Sequence, residues 1–113
     1  MALLTKASVL SADDFQYAIV PCPEWGGDMR VRGLTAAEQA IITKKVNAKQ
    51  MDDLAVVIVI MGCVDENGER IFENADKDAL KGRSYAVLDR LGKKILELSG
   101  SGDSDGIETA EKN

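Results

Sequence analysis

Alternation comes first along this chain, and helical periodicity takes over from it. Residues 15–20, "FQYAIV", alternate large and small side chains rich in β-formers and predict a strand. Pro21 and Pro23 are expected to stop it, since neither donates a ladder hydrogen bond. Gly26, Gly27 and Asp28 signal a turn, and "MRVRG" resumes the alternation, with Met29 and Val31 on one face and Arg30 and Arg32 on the other. The pattern predicts a β-hairpin with an irregular connection that holds the only Trp. Thr35 then opens a helix, because Glu38 stands at the spacing of a capping box. Its stripe reads as Ala37, Ile41 and Ala48, with Lys44, Lys45 and Lys49 outside it. Met51, Asp52 and Asp53 break the pattern, and either aspartate could cap a second helix at Leu54.

Residues 54–64, "LAVVIVIMGCV", leave two readings open. Their Val and Ile density fits a buried strand, whereas length and the preceding cap fit a helix that is apolar on every side. The helix is the preferred reading, and such a helix must be covered by its own domain or by a partner. "DENGER" then forms a turn, Ile71 and Phe72 an anchor on the core, and "NADKDALKG" a short helix capped by Asn74 and closed by Gly82. Ser84 is the expected cap of the last helix, in which Leu88, Leu91, Ile95 and Leu98 recur at helical spacing until Gly100 ends it. Residues 1–14 are small and mixed, with Ser11 to Asp14 read as a turn or cap. Residues 99–113 are rich in Ser, Gly and Asp and read as a flexible acidic tail. There is no internal repeat. The expected architecture is an α+β fold, mostly α-helical, with an N-terminal β-hairpin followed by three to four helices. It occupies residues 15–98 as a single domain between an N-terminal segment, 1–14, and the tail.

Composition changes this picture little. At 113 residues, 45% hydrophobic and 29% charged, the chain has an ordinary globular balance. A net charge of −5 argues against nucleic acid as the main partner, because duplex binding draws on clustered Lys and Arg. The N-terminus has no signal-peptide pattern, so both cysteines are expected to stay reduced in the cytoplasm. The longest apolar run falls short of the ~20 residues of a membrane span.

Candidate chemistry is thin. Without histidine, Cys22 and Cys63 lack the usual base for a thiolate nucleophile, and their separation makes at most half a zinc site. "DENGERIFENAD" resembles a calcium loop, but Gly68 stands at the fourth position where the EF-hand template needs glycine at the sixth. The neighbouring acids Asp13–Asp14, Asp52–Asp53 and Asp65–Glu66 sit at expected caps and turns and read as solvated surface. No catalytic residue, metal ligand or cofactor is assigned.

An ordered set of motifs does carry information. "VPCPEWGGDMRVRGLTAAEQ", an apolar segment ending in "CVDENGERIF", and "NADKDALKGRSYAVLDRLGKKILELSG" together resemble the tail assembly chaperones of long-tailed, siphovirus-type bacteriophages, over roughly residues 15–100. Cys22, which splits a Val-Pro-Glu-Trp pattern, and the Lys-rich first helix depart from it. The resemblance implies a non-enzymatic protein of the infected bacterium's cytoplasm, absent from the mature virion. It implies binding to the tape measure protein, which it keeps soluble, self-association into an oligomer, and recruitment of tail tube protein, in relatives through a frameshifted longer form. A virion subunit, such as a head–tail connector or tail terminator, is the alternative.

Residues expected to meet partners are Trp25, Arg30 and Arg32 on the hairpin and Leu88, Leu91, Ile95 and Leu98 on the last helix. Amphipathic partner helices dock into apolar grooves, but the same stripes could simply pack on each other, and Trp25 could equally close the core. A nucleic-acid role would require Arg30, Arg32, Lys44, Lys45 and Lys49 on one face.

Overall fold

In a computed structural model, which describes residues 2–101, strands β1 (Tyr17–Cys22) and β2 (Gly27–Arg32) form the expected hairpin. Tyr17 lies opposite Arg32 and Cys22 opposite Gly27. Pro21 does not stop β1: it pairs with Asp28 inside the strand. The sheet order is β1-β2-β3, so β1 is an edge, where a residue without an N–H is tolerated. Pro23 instead opens a single 3₁₀ turn, Pro23–Trp25, ended by Gly26 at φ 85, a left-handed conformation that suits glycine.

The third strand, β3 (Cys63–Val64), was not legible as such. Residues 54–64 are helix for nine residues, α3 (Leu54–Gly62), and extended for the last two, which pair with Val31 and Arg30. Gly62 is the hinge of this change. A Cβ there would lie 2.5 Å from the Ile95 side chain, so only glycine admits the close crossing of α3 by α5 (Tyr85–Leu96). Every residue from Val56 to Gly62 is buried, against α5 and, less extensively, α2 and α4. Val31, Val59, Val87, Leu91 and Ile95 form the innermost layer, sealed between sheet and helices.

Helix α2 (Ala36–Asn47) carries the expected capping box: the Glu38 amide donates to Thr35 Oγ1 at 3.0 Å, and the Thr35 amide to Glu38 Oε1 at 2.8 Å. Its rotation differs from the expected stripe. Ala37, Ile41 and Ala48 face outward, and Glu38 and Ile42 face the core. The cause is the second job of the Glu38 carboxylate. It accepts a bidentate pair from the buried Arg32 at 2.9 and 3.1 Å, and a further bond from Arg70. Holding Glu38 inward turns the helix by about 100° per residue of offset, which brings Ile42 to the core in place of Ile41.

The remaining elements follow local rules. Asp53 heads α3 but gives no side-chain cap; its carboxylate takes Lys45 at 3.0 Å and Lys77 at 2.9 Å, tying α2 to α4 (Lys77–Lys81). Those two ammonium groups, Lys77 first, hold its carboxyl down to about 2. Neither Asn74 nor Ser84 caps by its side chain; Glu73 and Asp76 form a reciprocal box ahead of α4 instead. Asp65 Oδ1 accepts from the amides of Asn67 and Glu69, which makes "DENGER" a self-contained turn. One further element went unforeseen. Helix α1 (Lys6–Ser11) is closed by a Thr5–Ser8 box, and none of its residues is buried. The chain after α5 turns through Gly100 at φ 87, and Ser99 Oγ accepts from the Leu34 amide at 2.8 Å. Beyond Ser101 the expected acidic tail lies outside the described residues. The architecture is α+β and mostly helical, with a three-stranded antiparallel sheet.

Two substitutions test this packing. Gly62→Ala should cost roughly 1–3 kcal/mol by overpacking against Ile95, whereas Gly92→Ala, whose Cβ would meet Ile58 at an ordinary 3.8 Å, should be neutral or stabilising; thermal unfolding of both reads the contrast. At Glu38, burial by itself raises the carboxyl pKa, but the bonds from Arg32, Thr35 and Arg70 outweigh it and hold the group at about 2. A folded-state pKa below its unfolded value stabilises above pH ~4.5, by roughly 3 kcal/mol, and this is lost as pH falls toward about 2. Glu38→Gln should therefore destabilise by roughly 3–5 kcal/mol at neutral pH, since it leaves the Arg32 charge buried and unpaired. Denaturant titrations should show the gap to the wild type closing across that acid window.

Candidate partner-binding face

Helices α3 and α5 run side by side in the same direction, with Ile58 beside Gly92 and Gly62 against Ile95. Where α5 carries Gly92 in place of a side chain, the outer seam between them opens into a groove of about 820 Å³. Its floor is apolar, with Leu54, Ala55, Ile58, Leu88 and Leu96 lining it. Tyr85, 70% exposed, and the exposed Met51 stand at its mouth. Lys81, Arg83 and Asp52 rim the end where both helices begin, and Lys93 and Glu97 the opposite end. Burying a large apolar side chain that otherwise faces water is worth ~1.5–3 kcal/mol, so such a seam favours a covering segment.

The residues expected to meet partners do not form one face. Leu91 and Ile95 are fully buried in the innermost core, and Leu98 packs half-buried against it. Only Leu88 reaches the groove, from its floor. Arg32 is buried by its pair with Glu38 and stacks over the Phe15 ring at 4.6 Å. Arg30 stacks over Tyr17 at 4.0 Å and donates to the Asp65 carbonyl at 3.0 Å. Trp25 is half-buried against the core, at the loop that Arg90 clasps. The Arg90 guanidinium donates to Glu24 at 2.9 and 2.6 Å and to the Pro21 carbonyl at 3.1 Å, which pins the hairpin tip onto α5. The same guanidinium holds the Glu24 carboxyl down to about 2.

The groove residues that sequence reasoning missed include Leu54, Ala55, Ile58, Tyr85, Gly92 and Leu96. A signal for them existed. Tyr85, Leu88, Gly92 and Leu96 form a second helical stripe on α5, offset from the Leu91–Ile95 line, and a glycine inside a helix costs ~1 kcal/mol unless close approach or an opening requires it.

Cys22 and Cys63 are both buried; burial pushes the Cys63 thiol up to about 12, and burial also raises Cys22, against the lowering pull of Arg90. Neither is a thiolate near neutral pH, and thiols react through the thiolate. Arg32 and Lys45 are committed to ion pairs with Glu38 and Asp53, so Arg30, Arg32, Lys44, Lys45 and Lys49 do not act as one free basic face. No helix of the described residues is long and apolar enough to cross a membrane.

No protein-family model matches the chain, and no curated protein matches it. Among solved structures, the chain is similar to the tail assembly chaperone of bacteriophage HK97, with a TM-score of 0.63 and 21% sequence identity. The similarity covers 81% of this chain and 90% of that one. This protein therefore has the fold of a phage tail assembly chaperone, the family that its hairpin, turn and closing-helix motifs resemble.

Proposed function

We propose that the chain acts as a tail assembly chaperone in the cytoplasm of an infected bacterium, where it binds the tape measure protein, keeps it soluble and helps recruit tail tube subunits. The observation that supports this reading best is the fold shared across 90% of the HK97 chaperone. Two features of the surface agree with it. Two uncovered features are apolar: the α3–α5 groove and the leucines ahead of and within α1. Such surface recognises side chains of another polypeptide, through many modest contacts whose sum depends on how many copies engage at once. Binding of that kind protects a long apolar helix from aggregation, yet yields when polymerising tube subunits compete for it. Self-association is part of the reading, because one small domain covers only a short stretch of an elongated partner.

Co-expression with the tape measure protein from the same phage tests the proposal. The soluble fraction of the tape measure protein should rise several-fold with the chaperone present, and the two should co-purify. A tape measure protein no more soluble with this chain than without it defeats the reading. Recovery of the chain from purified particles at subunit copy number would favour a virion structural role instead.

A further inference from the structure

The N-terminal segment leaves Leu3, Leu4 and Leu10 between 74% and 86% exposed, and Val9 51% exposed. Helix α1 buries none of its residues in its own domain. From these features and the groove we infer that the N-terminal segment of one copy docks into the α3–α5 groove of a second copy. The inference deepens the self-association just proposed by naming its contact.

Length, apolar pattern and charge fit together. From Tyr85 to Leu96 the groove follows α5 for about 17 Å at ~1.5 Å per residue. Six helical residues of α1 span about 9 Å, and the extended residues 3–5 ahead of it another ~10 Å. Leu3, Leu4 and Leu10 are thus spread along the whole groove. The segment continues into Asp13, which accepts from the Phe15 amide at 3.3 Å, and Asp14, whereas the end of the groove where α5 begins carries Lys81 and Arg83 against one acid, Asp52, and so keeps a net positive charge. Matching these charges sets the direction: the docked segment runs antiparallel to α5, with its aspartates at Lys81 and Arg83 and Leu3 and Leu4 toward Leu96.

That direction selects a second copy over the chain's own groove. Gln16 accepts a hydrogen bond from the Gly33 amide at 3.1 Å, and Gly33 abuts the Leu98 carbonyl, so the arm leaves the domain beside the far end of α5. Asp14 stands two residues before Gln16 and reaches at most ~7 Å from it. It cannot span the length of α5 to its own Arg83. In a second copy no such tether applies. Because arm and groove are different patches, the contact is heterologous and repeats from copy to copy, closing as a ring or running on as a helix. Either form suits an elongated partner.

The test uses the full chain and its mass in solution, by sedimentation equilibrium. Leu4→Glu/Leu10→Glu charges the arm, where no residue is buried and folding is untouched. Ala55→Glu charges the groove floor in the first turn of α3, where an acid suits the helix N-terminus. Wild type is expected to exceed the monomer mass and each variant to fall to it, each variant keeping a cooperative unfolding transition whose midpoint lies below the wild type's only by the lost, concentration-dependent association. Mixing the two variants should restore one contact, the intact arm of the Ala55→Glu chain in the intact groove of the other, and give a 1:1 heterodimer of twofold mass. A monomeric wild type, an arm variant that keeps the wild-type mass, or a mixture that stays monomeric overturns the inference; docking in the chain's own groove would produce the first. The measurement needs no tape measure protein, so its failure and that of the chaperone reading are separable.

Discussion

The Glu38 carboxylate, buried between two guanidinium groups, is the contact on which the arrangement of sheet and helices depends. It joins β2 through Arg32, the start of α2 through the Thr35 amide, and the segment after β3 through Arg70. A charge in that position is tolerable only when every partner is present, because an unpaired ion loses its hydration without recompense. The same demand makes the junction specific. It sets the rotation of α2, sends Ile42 rather than Ile41 to the core, and keeps Arg32 from any outside ligand. Arg30 and Arg32, stacked on Tyr17 and Phe15, thereby turn what looked like a basic recognition face into a covered one.

Two glycines divide the labour at the other interface. Gly62 lets α3 meet Ile95 at a distance no side chain permits, which draws α5 across the apolar helix and seals its inner side. Gly92, a few residues earlier on α5, leaves the outer seam open instead. One helix pair is therefore both the centre of the core and the wall of a groove. Clasped by Arg90 through Glu24, the Trp25 loop braces this pair from the sheet side.

The fold similarity to the HK97 chaperone extends over 81% of this chain, and so takes in the α3–α5 pair as well as the sheet. Apolar surface left open on a small domain is costly in water, and proteins retain it where another polypeptide completes it. In this domain one flank of the α3–α5 pair is sealed and the other is open.

Much of this was legible in residue order. Alternation at Met29 to Arg32, the Thr35–Glu38 box, the Asn67–Gly68 turn and the Leu88–Leu91–Ile95 stripe each report a local preference, and each stands where the pattern put it. What failed were statements about facing. Ile41 was placed inward because it fits a 3.6-residue period, but Arg32 and Arg70, distant in sequence, decide which side of α2 is inside. Residues 54–64 leave helix and strand open because apolar neighbours fit both; pairing with Val31 and Arg30 makes Cys63 and Val64 a strand. Leu91 and Ile95, expected to meet partners, lie fully buried in the core, because a stripe shows only that a face is buried, not by what. The sequence alone determined where the hairpin, the capped start of α2 and the closing helix lie, since those follow from propensity and residue spacing. Only the tertiary structure decided which apolar faces are spent within the domain and which remain open, since that depends on contacts between residues far apart along the chain.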